Sequence, residues 1–428
     1  MGGETENVVA AIDFCYMTIV VTRVFRVKLN QLRIFLAVYE SLSTAKAAKL
    51  VHRTQPSVSS AIASIERQLN FKLFERSSRG MEPTPAAAAL AQRVNSALVH
   101  LRAAEAHFTD IGHKAPGLWE RATDLQLRGL SALIHHRSFL LAARALRCSE
   151  PSMHRAVSDL VQLTRCTLWR RVGRGIKPTQ EALILAEGIG RCEAEIRLGL
   201  EAAQEVIGVV GGQLLIGALP TARPGWLPSA IKNTLKRQPG SRVSVMDGPY
   251  EEQLVALRHG RIDMIIGVLR ASSATRDIQQ IPFFEDSLSI AVRATHALAR
   301  GQNSGNRRLS SHQLASLSWI LPPPSTPPRQ CFDAFLHDDG LPSARCVVEC
   351  NSMVTIWSLL MTTDFAAVIP TSLTRSELIS GRLKVLGRPI RGSKHAVGLA
   401  IRRGFAPTQL QRTFIDELTN SCAALIPS

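Results

Sequence analysis

Small polar side chains gather at the start of a segment whose apolar residues recur at helical spacing. Thr54 precedes Gln55 and Pro56, an order in which the threonine caps a helix and the proline lies in its first turn. The face that should be buried carries Val58, Ile62, Ile65 and Leu69. The opposite face carries hydroxyl and amide groups, on Gln55, Ser57, Ser59, Ser60 and Ser64. These groups can hydrogen-bond to base edges, so the segment is typical of a helix whose N-terminal end enters a DNA major groove.

Two arginines follow in a region that is predicted to form a hairpin. The order Leu73-Phe74-Glu75-Arg76-Ser77-Ser78-Arg79-Gly80, followed by Pro83-Thr84, indicates a strand, a glycine turn and a second strand. Beside a DNA-reading helix such a hairpin is a wing. Its arginines, Arg76 and Arg79, can reach a phosphate or a narrow minor groove.

Three further helices must position these groups. An apolar face with Leu32, Phe35, Leu36 and Val38 predicts a first helix, and the small residues Ala45, Ala47 and Ala48 predict a short second one. After the wing, an alanine-rich segment from Pro85 to about His113 predicts a longer helix. Its apolar seam, formed by Leu90, Val94, Leu98 and Leu101, requires a partner helix.

The whole pattern occurs twice. Residues 32–93 align without a gap to residues 127–188, at an offset of 95 residues. The residues of special conformation match together with the apolar ones, as in Pro56/Pro151, Gly80/Gly175 and Pro83/Pro178. The second copy therefore offers its own candidate DNA contacts, which are Ser149, Ser152, His154, Arg155, Arg171 and Arg174. A second linker helix, from Thr179 to about Val206, repeats the seam with Leu183, Leu185, Ile189, Ile196 and Leu200.

The second copy differs from the first where the helix should read DNA. Glu150 replaces Gln55, His154 replaces Ser59 and Arg155 replaces Ser60. A carboxylate repels phosphate but accepts a hydrogen bond from a cytosine amine. Two interpretations remain open: the second copy also contacts DNA, or it is a degenerate copy kept for dimer packing.

The first copy resembles the DNA-binding domain of the LysR family of bacterial transcriptional regulators. The resemblance rests on LRIFLAVYES, AAKLVHRTQPSVSSAIASIERQLN and LFERSSRGMEPT. It implies a winged helix-turn-helix domain that binds promoter DNA. The copy departs from the family pattern at Leu42 and Asn70, where glycine is usual, and at Ala61, where a base-contacting glutamine is frequent. We expect Ala61 to alter which bases are read.

Strands and helices alternate in the second half. Strands at 211–218, 242–246 and 263–268, with helices at 226–237 and 250–259 between them, predict a parallel sheet with right-handed crossovers. Further strands are expected near 287–293, 318–321, 345–349 and 366–369, and the chain returns through 396–401 to a final helix at about 407–422. The order resembles two lobes of periplasmic-binding-protein type, joined by crossings near residues 292 and 393.

This half resembles the effector-binding domain of the same family. GQLLIGALPTA, LVALRHGRIDMIIG and VECNSMVTIWSLLMTTDFAAVIP carry the resemblance, although Thr363 and Phe365 replace two glycines. It implies a small-molecule site between the lobes, where strand ends meet helix N-termini. The matching positions are Thr221, Ala222, Pro249, Tyr250, Val268 and Ser352. Hydroxyls at helix N-termini suit a carboxylate, but Thr221 and Ser352 can equally be ordinary helix caps.

The composition and the absence of certain motifs limit the possible functions, cofactors and partners of the protein. The net charge of +17 indicates a polyanionic partner or an anionic ligand. Eight cysteines are scattered without a CxxC pair, so neither a metal nor another cofactor is expected. Phosphate-binding loops and HExxH or GxSxG motifs are absent, which disfavours an enzyme. The apolar stretch Val8–Val21 is too short to span a bilayer and lacks the basic flank of a signal peptide, so we expect a cytoplasmic protein with no membrane partner.

Together these patterns predict two winged helix-turn-helix domains with linker helices, followed by an α/β effector domain of two lobes. The expected boundaries are 1–28 for an N-terminal extension, 29–88 and 124–183 for the two copies, 89–123 and 184–210 for the linker helices, and 211–428 for the effector domain. The expected partners are double-stranded promoter DNA, a small carboxylate effector and, for an activator, RNA polymerase. Pairing of linker helices is expected to give a homodimer or homotetramer.

Overall fold

The computed structural model describes residues 27–77, 80–110, 117–173, 175–223, 225–270, 277–300, 309–374 and 381–423. The chain divides into two compact units. One contains the residues up to Gly212 together with Val255–Ile262, and the other contains Gln213–Leu254 together with Asp263–Ser428. The stretch Val8–Val21 and the wing residues Arg79 and Arg174 lie outside the described residues, so the expectations placed on them stay predictions.

The first copy consists of three helices and a hairpin: α1 Leu29–Ser41, α2 Thr44–Leu50, α3 Gln55–Leu69, β1 Phe74–Ser77 and β2 Gly80–Pro83. Ser43 and Thr54 cap α2 and α3, because their hydroxyls accept hydrogen bonds from the backbone N–H groups of Lys46 at 3.3 Å and Ser57 at 3.4 Å. The apolar faces are buried, as predicted, with Phe35, Val58 and Ile65 wholly excluded from solvent.

The first wing is fixed to the helices by a buried carboxylate and a close backbone approach. Glu66, near the end of α3, accepts hydrogen bonds from the backbone N–H groups of Leu73 at 2.9 Å and Phe74 at 3.2 Å. Met81 donates its backbone N–H to the carbonyl oxygen of Leu42 at 3.1 Å. A Cβ on Gly80 would lie 2.8 Å from that same oxygen, and Gly80 has φ +124°, so only glycine fits this position.

The second copy repeats these elements: α6 Asp124–His136, α7 Phe139–Leu146, α8 Glu150–Thr164, β3 Trp169–Val172 and β4 Gly175–Pro178. A short helix, α5 Leu118–Arg121, precedes it. Ser138 and Ser149 cap α7 and α8, accepting from the backbone N–H groups of Leu141 at 3.4 Å and Ser152 at 3.2 Å. The duplication is therefore a duplication of structure as well as of sequence.

Unusual backbone conformations occur at equivalent positions of the two copies. Left-handed residues end α1 and α6, follow α2 and α7, and end α3 and α8; the pairs are Leu42/Arg137, His52/Arg147 and Asn70/Arg165. Each pair differs by the offset of 95 residues. Since non-glycine residues adopt this conformation infrequently, both copies use the same three turns to set the angles between their helices.

Each linker helix finds its partner within the chain. The helices α4 Pro85–Asp110 and α9 Gln180–Val206 begin after equivalent threonines, Thr84 and Thr179, and pack against each other. One continuous apolar core joins them to both copies and includes Leu32, Leu90, Leu127, Leu185 and Ile196. The two predicted seams are thus buried against each other, except at Leu183, which is 37% exposed, so its placement in the seam of α9 was wrong.

The second unit contains two five-stranded sheets, one for each lobe. The first sheet has the order β6-β5-β7-β14-β8, with β5 parallel to β7 and β14 antiparallel to both β7 and β8. Its strands are β5 Gly212–Ala218, β6 Ser241–Met246, β7 Met264–Val268, β8 Ile278–Asp286 and β14 His395–Arg402. Helices α10 Trp226–Arg237, α11 Tyr250–Arg258 and α16 Gln409–Ala423 accompany it. The parallel pairing of the strands predicted at 211–218 and 263–268 is confirmed.

The second sheet has the order β11-β10-β12-β9-β13. Its strands are β9 Leu288–Arg293, β10 Trp319–Leu321, β11 Cys346–Glu349, β12 Ala366–Pro370 and β13 Leu383–Leu386, and its helices are α12 Ala297–Arg300, α13 Ser311–Ser316, α14 Pro327–Asp338 and α15 Met353–Thr362. The strand β9 runs antiparallel to both of its neighbours. Two α/β lobes are therefore present, as the sequence predicts.

One crossing between the lobes differs from the prediction. The first lies at Ser287, between the end of β8 and the start of β9, and not near residue 292. Strands β8 and β9 form an almost continuous extended run that changes sheet within one residue, so the pattern alone does not reveal the change. The second crossing lies between β13 and β14, in agreement with the expectation near residue 393.

Within the described part of the chain, no helix is both long and apolar enough to cross a membrane. The same residues contain no group of three or more histidine, cysteine or acidic side chains arranged to hold a metal ion.

Candidate nucleic-acid interface and effector site

The polar face of α3 is open to solvent. Thr54, Gln55, Pro56, Ser57 and Ser60 are exposed and Ser59 is half-buried, whereas Val58 between them is fully buried. Gln55 Nε2 donates to Thr44 Oγ1 at 3.2 Å, which ties the start of α3 to the start of α2. The helix therefore presents hydroxyl and amide groups to solvent, and the Thr54 cap and the Gln55–Thr44 bond hold its first turn in place.

Basic side chains flank this surface, and the sequence analysis did not single them out. These are Lys46 and Lys49 on α2 and Arg53 in the following turn, which are all exposed, as is the wing residue Arg76, which the sequence does predict. Exposed cations can contact phosphates, and such contacts set the register of a protein on DNA without reading bases. Their spacing on a short helix beside the reading helix is the signal that could have identified them.

The start of α8 in the second copy is organised differently. The imidazole of His154 stacks on the ring of Phe139, with centroids 3.6 Å apart and planes inclined by 21°. Phe139 is the equivalent of Thr44, so this stack takes the place of the Gln55–Thr44 hydrogen bond in tying the two helices together. His154 Nε2 also lies 3.9 Å from Glu150 Oε1. The histidine is thus held against its own domain, whereas Ser149, Ser152 and Arg155 are exposed.

The two wings carry opposite charges at matched positions. In the first wing Glu75 lies directly opposite Glu82 across the hairpin. In the second wing the equivalent residues are Arg170 and Lys177, which again lie opposite each other. All four side chains are exposed. With Arg171 beside them, the second wing is strongly basic, which offsets the carboxylate of Glu150 at the reading end of α8.

Five of the six predicted effector residues, Thr221, Ala222, Pro249, Tyr250 and Val268, follow strands of the first sheet of the second unit, whereas Ser352 lies in the other lobe, at the start of α15. The parallel strands β5 and β7 are neighbours, so their carboxyl ends carry Thr221 and Val268 to the same side. Ala222 is buried and donates its backbone N–H to the carbonyl oxygen of Leu219 at 2.9 Å. Pro249 and the largely buried Tyr250 begin α11.

The two proposed hydroxyl contacts have different environments. Ser352 caps α15, its Oγ accepting a hydrogen bond from the backbone N–H of Thr355 at 3.5 Å, and an effector contact by this hydroxyl stays a prediction. Thr221 caps no helix in the same way: its Oγ1 is buried and has no hydrogen-bond partner among the described residues. A buried hydroxyl without a partner is costly, which marks Thr221 as a group that a ligand can satisfy.

A cation that the sequence analysis missed lies beside Tyr250. The guanidinium of Arg270, two residues beyond the end of β7, lies over the ring of Tyr250 at 4.8 Å from its centroid. Gln280 fixes the backbone of Arg270 from both sides, accepting from its N–H at 3.1 Å and donating to its carbonyl at 2.8 Å. Arg270 Nε is buried and makes no hydrogen bond within the described residues. Arg270 follows the family-like motif LVALRHGRIDMIIG, so motif comparison alone does not reach it.

The connection between the lobes is a network of hydroxyl groups. Asp286 Oδ2 accepts from Ser372 Oγ at 2.6 Å, and Ser393 Oγ accepts from the backbone N–H of Leu288 at 2.9 Å. These bonds link the ends of both crossings. Side-chain hydrogen bonds therefore connect the two crossings between the lobes.

Comparison with known proteins gives one consistent family. The profile described as "LysR substrate binding domain" matches residues 208–423, and that described as "Bacterial regulatory helix-turn-helix protein, lysR family" matches residues 29–88 and 125–183. The HTH-type transcriptional regulator GalR of Pseudomonas putida is 28% identical over 376 residues, which cover 88% of this chain and 92% of that protein. The regulator PcaQ of Agrobacterium fabrum is 23% identical over 64% of this chain and 86% of that protein.

A solved structure shows the same fold. A full-length OxyR variant from Pseudomonas aeruginosa superposes with a TM-score of 0.50 at 20% identity, covering 70% of this chain and 93% of that one. The family is one of DNA-binding transcriptional regulators, not of enzymes. With both kinds of domain matched and the helix-turn-helix present twice, the chain belongs to the LysR family of transcriptional regulators.

Proposed function

We propose that a small anionic effector, of carboxylate type, binds in the second unit and controls promoter binding or activation by the first. The observation that carries this proposal is Arg270, whose buried Nε has no hydrogen-bond partner among the described residues while its guanidinium is held over Tyr250. A carboxylate accepting from Arg270 and from Thr221 Oγ1 would satisfy both groups. The positions at the ends of β5 and β7, which include Ala222, Pro249 and Val268, would line the same site.

Control follows from the connection between the lobes. An effector that binds the closed arrangement more tightly than the open one shifts the population toward closure by that difference in affinity. The bonds at Asp286, Ser372 and Ser393 lie at the crossings where such a change must be absorbed. Effector binding would then change how the DNA-reading units are presented.

The effector proposal is tested by ligand-dependent thermal stability of the full chain. A panel of aliphatic and aromatic carboxylic acids is compared with the matching primary amides, each at several concentrations. Stabilisation by an acid and not by its amide supports an anionic site, and Arg270→Gln should abolish it. The matched control is Arg261→Gln, an arginine that lies before β7 instead of after it. Equal stabilisation of wild type and the Arg270 variant would contradict the assignment.

For DNA, we propose that both copies contribute contacts. In the first copy these are Thr54, Gln55, Pro56, Ser57, Ser59, Ser60, Arg76 and Arg79; in the second they are Ser149, Ser152, His154, Arg155, Arg171 and Arg174. His154 contributes through its stack on Phe139, which holds the start of α8 in place. The basic wing of the second copy is the observation that favours DNA contact by this copy.

The alternative is a regulator whose second copy serves packing only, and Glu150 is the observation that favours it. Mobility-shift assays with Ser57→Glu and Ser152→Glu separate the two possibilities. If each of the two changes by itself abolishes specific binding, both copies read DNA. Loss through Ser57→Glu alone supports the packing role, and failure of the intact protein to bind any sequence would contradict DNA reading altogether.

A further inference from the structure

The pairing of α4 with α9 follows a two-fold pattern. Arg93 on α4 forms an ion pair with Glu195 on α9, with Nη1 and Oε2 2.9 Å apart. The equivalent of Arg93, 95 positions later in the chain, is Gly188, and the equivalent of Glu195, 95 positions earlier, is His100. They also meet, because a Cβ on Gly188 would lie 3.0 Å from the carbonyl oxygen of His100. The same pair of positions is therefore in contact twice, once with the first position on α4 and once with it on α9.

A second pair of positions repeats the pattern. A Cβ on Gly199 would lie 2.7 Å from the Cβ of Arg93, and a Cβ on Gly188 would lie 3.0 Å from the Cβ of Ala104. Ala104 and Gly199 are equivalent, as are Arg93 and Gly188. In a two-fold interface, position i of the first copy contacts position j of the second copy, and position i of the second copy contacts position j of the first. The linker helices meet this condition in two contacts, both of which involve Arg93 and its equivalent Gly188.

The first helices of the copies locate the axis. The backbone N–H of Leu29, at the start of α1, donates to Oδ1 of Asp124, at the start of α6, at 3.0 Å. These residues are equivalents of each other. A position that contacts its own equivalent lies at the two-fold axis, so the axis passes between the starts of α1 and α6.

The interface fits unlike helices better than like ones. If α4 paired with a second α4, Ala104 would replace Gly199 and bring a Cβ to a place 2.7 Å from the Cβ of Arg93. Arg93 would also face His100 and lose its carboxylate partner. If α9 paired with a second α9, Glu195 would face Gly188, leaving a carboxylate that is 16% exposed without this arginine. Packing and charge both select the pairing of copy 1 with copy 2.

From these contacts we propose that a single chain supplies both members of the two-fold pair of DNA-reading units. The proposal rests on the proposed function in one respect, namely that both copies bind DNA. Two units related by a two-fold axis read two half-sites that follow each other by about one helical turn, roughly 10 base pairs. Because α3 presents Gln55 where α8 presents Glu150, the two half-sites differ in sequence. Each chain accordingly covers two half-sites.

The pairing itself is tested without DNA by a disulfide between α4 and α9. In the full-length double variant Ala104→Cys/Gly188→Cys, the two Cβ atoms lie close to disulfide reach, which is about 3.8 Å. After oxidation we expect a band of single-chain mass with altered mobility on a non-reducing gel, absent from either single variant. A band of two-chain mass that depends on both cysteines would show exchange of the helices between chains and overturn the proposal.

Charge exchange gives a second test that does not depend on oxidation. Arg93→Glu and Glu195→Arg each place like charges together within a chain, and both changes in one chain restore an opposite-charge pair. Pairing within a chain predicts that the double variant recovers thermal stability, whereas an equimolar, co-refolded mixture of the single variants does not. Recovery in the mixture would mean that the contact forms between chains.

The consequence for DNA is tested with the full-length protein and a library of random-sequence duplexes. The enriched duplex is footprinted, and its complex is weighed by native mass spectrometry to give the number of bound chains. We expect two protected, unlike half-sites for each chain. One half-site for each chain would overturn the proposal, even with an intrachain disulfide. Intrachain pairing together with no enriched sequence would instead contradict the proposed DNA-reading function on which it rests.

Discussion

Arg170 and Lys177 lie directly opposite each other on the two strands of the second wing, at the positions that Glu75 and Glu82 occupy in the first. The two hairpins share their cross-strand register, so this pair inverts the local charge of a wing at matched positions. Their turns differ, because Gly80 has φ +124° in the first hairpin, whereas Gly173 has φ +58° in the second. Like charges directly opposite each other weaken a hairpin. Nearby phosphates would relieve the repulsion in the second wing and intensify it in the first.

The double change Arg170→Glu/Lys177→Glu is expected to weaken DNA binding at all sequences. Because two phosphate contacts are lost, the slope of log affinity against log salt should become shallower by about 2. The measurement is a fluorescence-anisotropy titration at several salt concentrations. The matched control, Glu75→Arg/Glu82→Lys, should strengthen binding and steepen the slope. An unchanged slope in the first variant would place the second wing away from DNA.

The change Glu150→Gln is expected to alter sequence preference at one half-site only. A carboxylate at the start of α8 accepts from a cytosine amine, whereas a glutamine amide pairs with adenine. Selection from random duplexes should therefore show a cytosine-to-adenine change in the half-site read by the second copy, with a discrimination of roughly 1–3 kcal/mol at that base pair.

The reciprocal control for that experiment is Gln55→Glu, which should change only the half-site read by the first copy. His154 keeps its stack on Phe139 in both variants, so the position of α8 is held constant. Identical selected sequences for Glu150→Gln and wild type would show that α8 does not reach base edges.

Much of this arrangement is readable from the sequence, since its elements depend on local chemistry. The caps at Thr54 and Ser149 and the duplicated turns follow from residue type and spacing. The cross-strand pairing of Arg170 with Lys177 does not, because it requires the register of the hairpin. Arg270 was missed for a related reason: its position over Tyr250 depends on a tertiary contact between a loop and the start of α11.

The sequence predicted that the apolar seam of each linker helix packs against another helix, but it did not show which helix that is. An apolar stripe with Leu90 and Leu98 is compatible with any second stripe. The choice of α9 rests on Gly199, which admits Arg93, and on Glu195, which neutralises it. The expectation of a homodimer or homotetramer remains a prediction.

Replacing Glu66 by alanine should destabilise the first copy and loosen its wing. Leu73 and Phe74 would each lose the acceptor of a buried backbone N–H, at a cost of roughly 1–3 kcal/mol for each group left unsatisfied. Urea unfolding should show the loss, and Glu66→Gln, which retains an acceptor oxygen, should lose less. The equivalent position in the second copy is Val161, so that wing should show unchanged hydrogen exchange. Equal losses for the alanine and glutamine variants would contradict the role of the acceptor.

Glu193 on α9 gives the DNA-binding unit a dependence on pH. Burial raises the pKa of Glu193 to about 7, with Asp124 adding to the rise and Arg128 opposing it. An unfolded glutamate titrates near about 4.3, so the folded state binds the proton more tightly between these two values. Stability from this group is therefore fully present below the unfolded pKa and declines as pH rises toward the folded pKa of about 7.

Glu193→Gln removes this dependence, because the amide resembles the protonated carboxyl at every pH. Its free energy of unfolding should match that of wild type below about pH 4 and exceed it at about pH 8, by on the order of 2 kcal/mol after allowance for partial solvent contact. Urea unfolding at intervals across this range measures the difference. Glu40→Gln, an exposed carboxyl on α1, serves as the control and should leave the profile unaltered. Since α9 carries the contacts that pair the two copies, wild type should also lose DNA binding more steeply than the variant as pH rises toward about 7. Parallel pH profiles for the two proteins would contradict a raised pKa at Glu193.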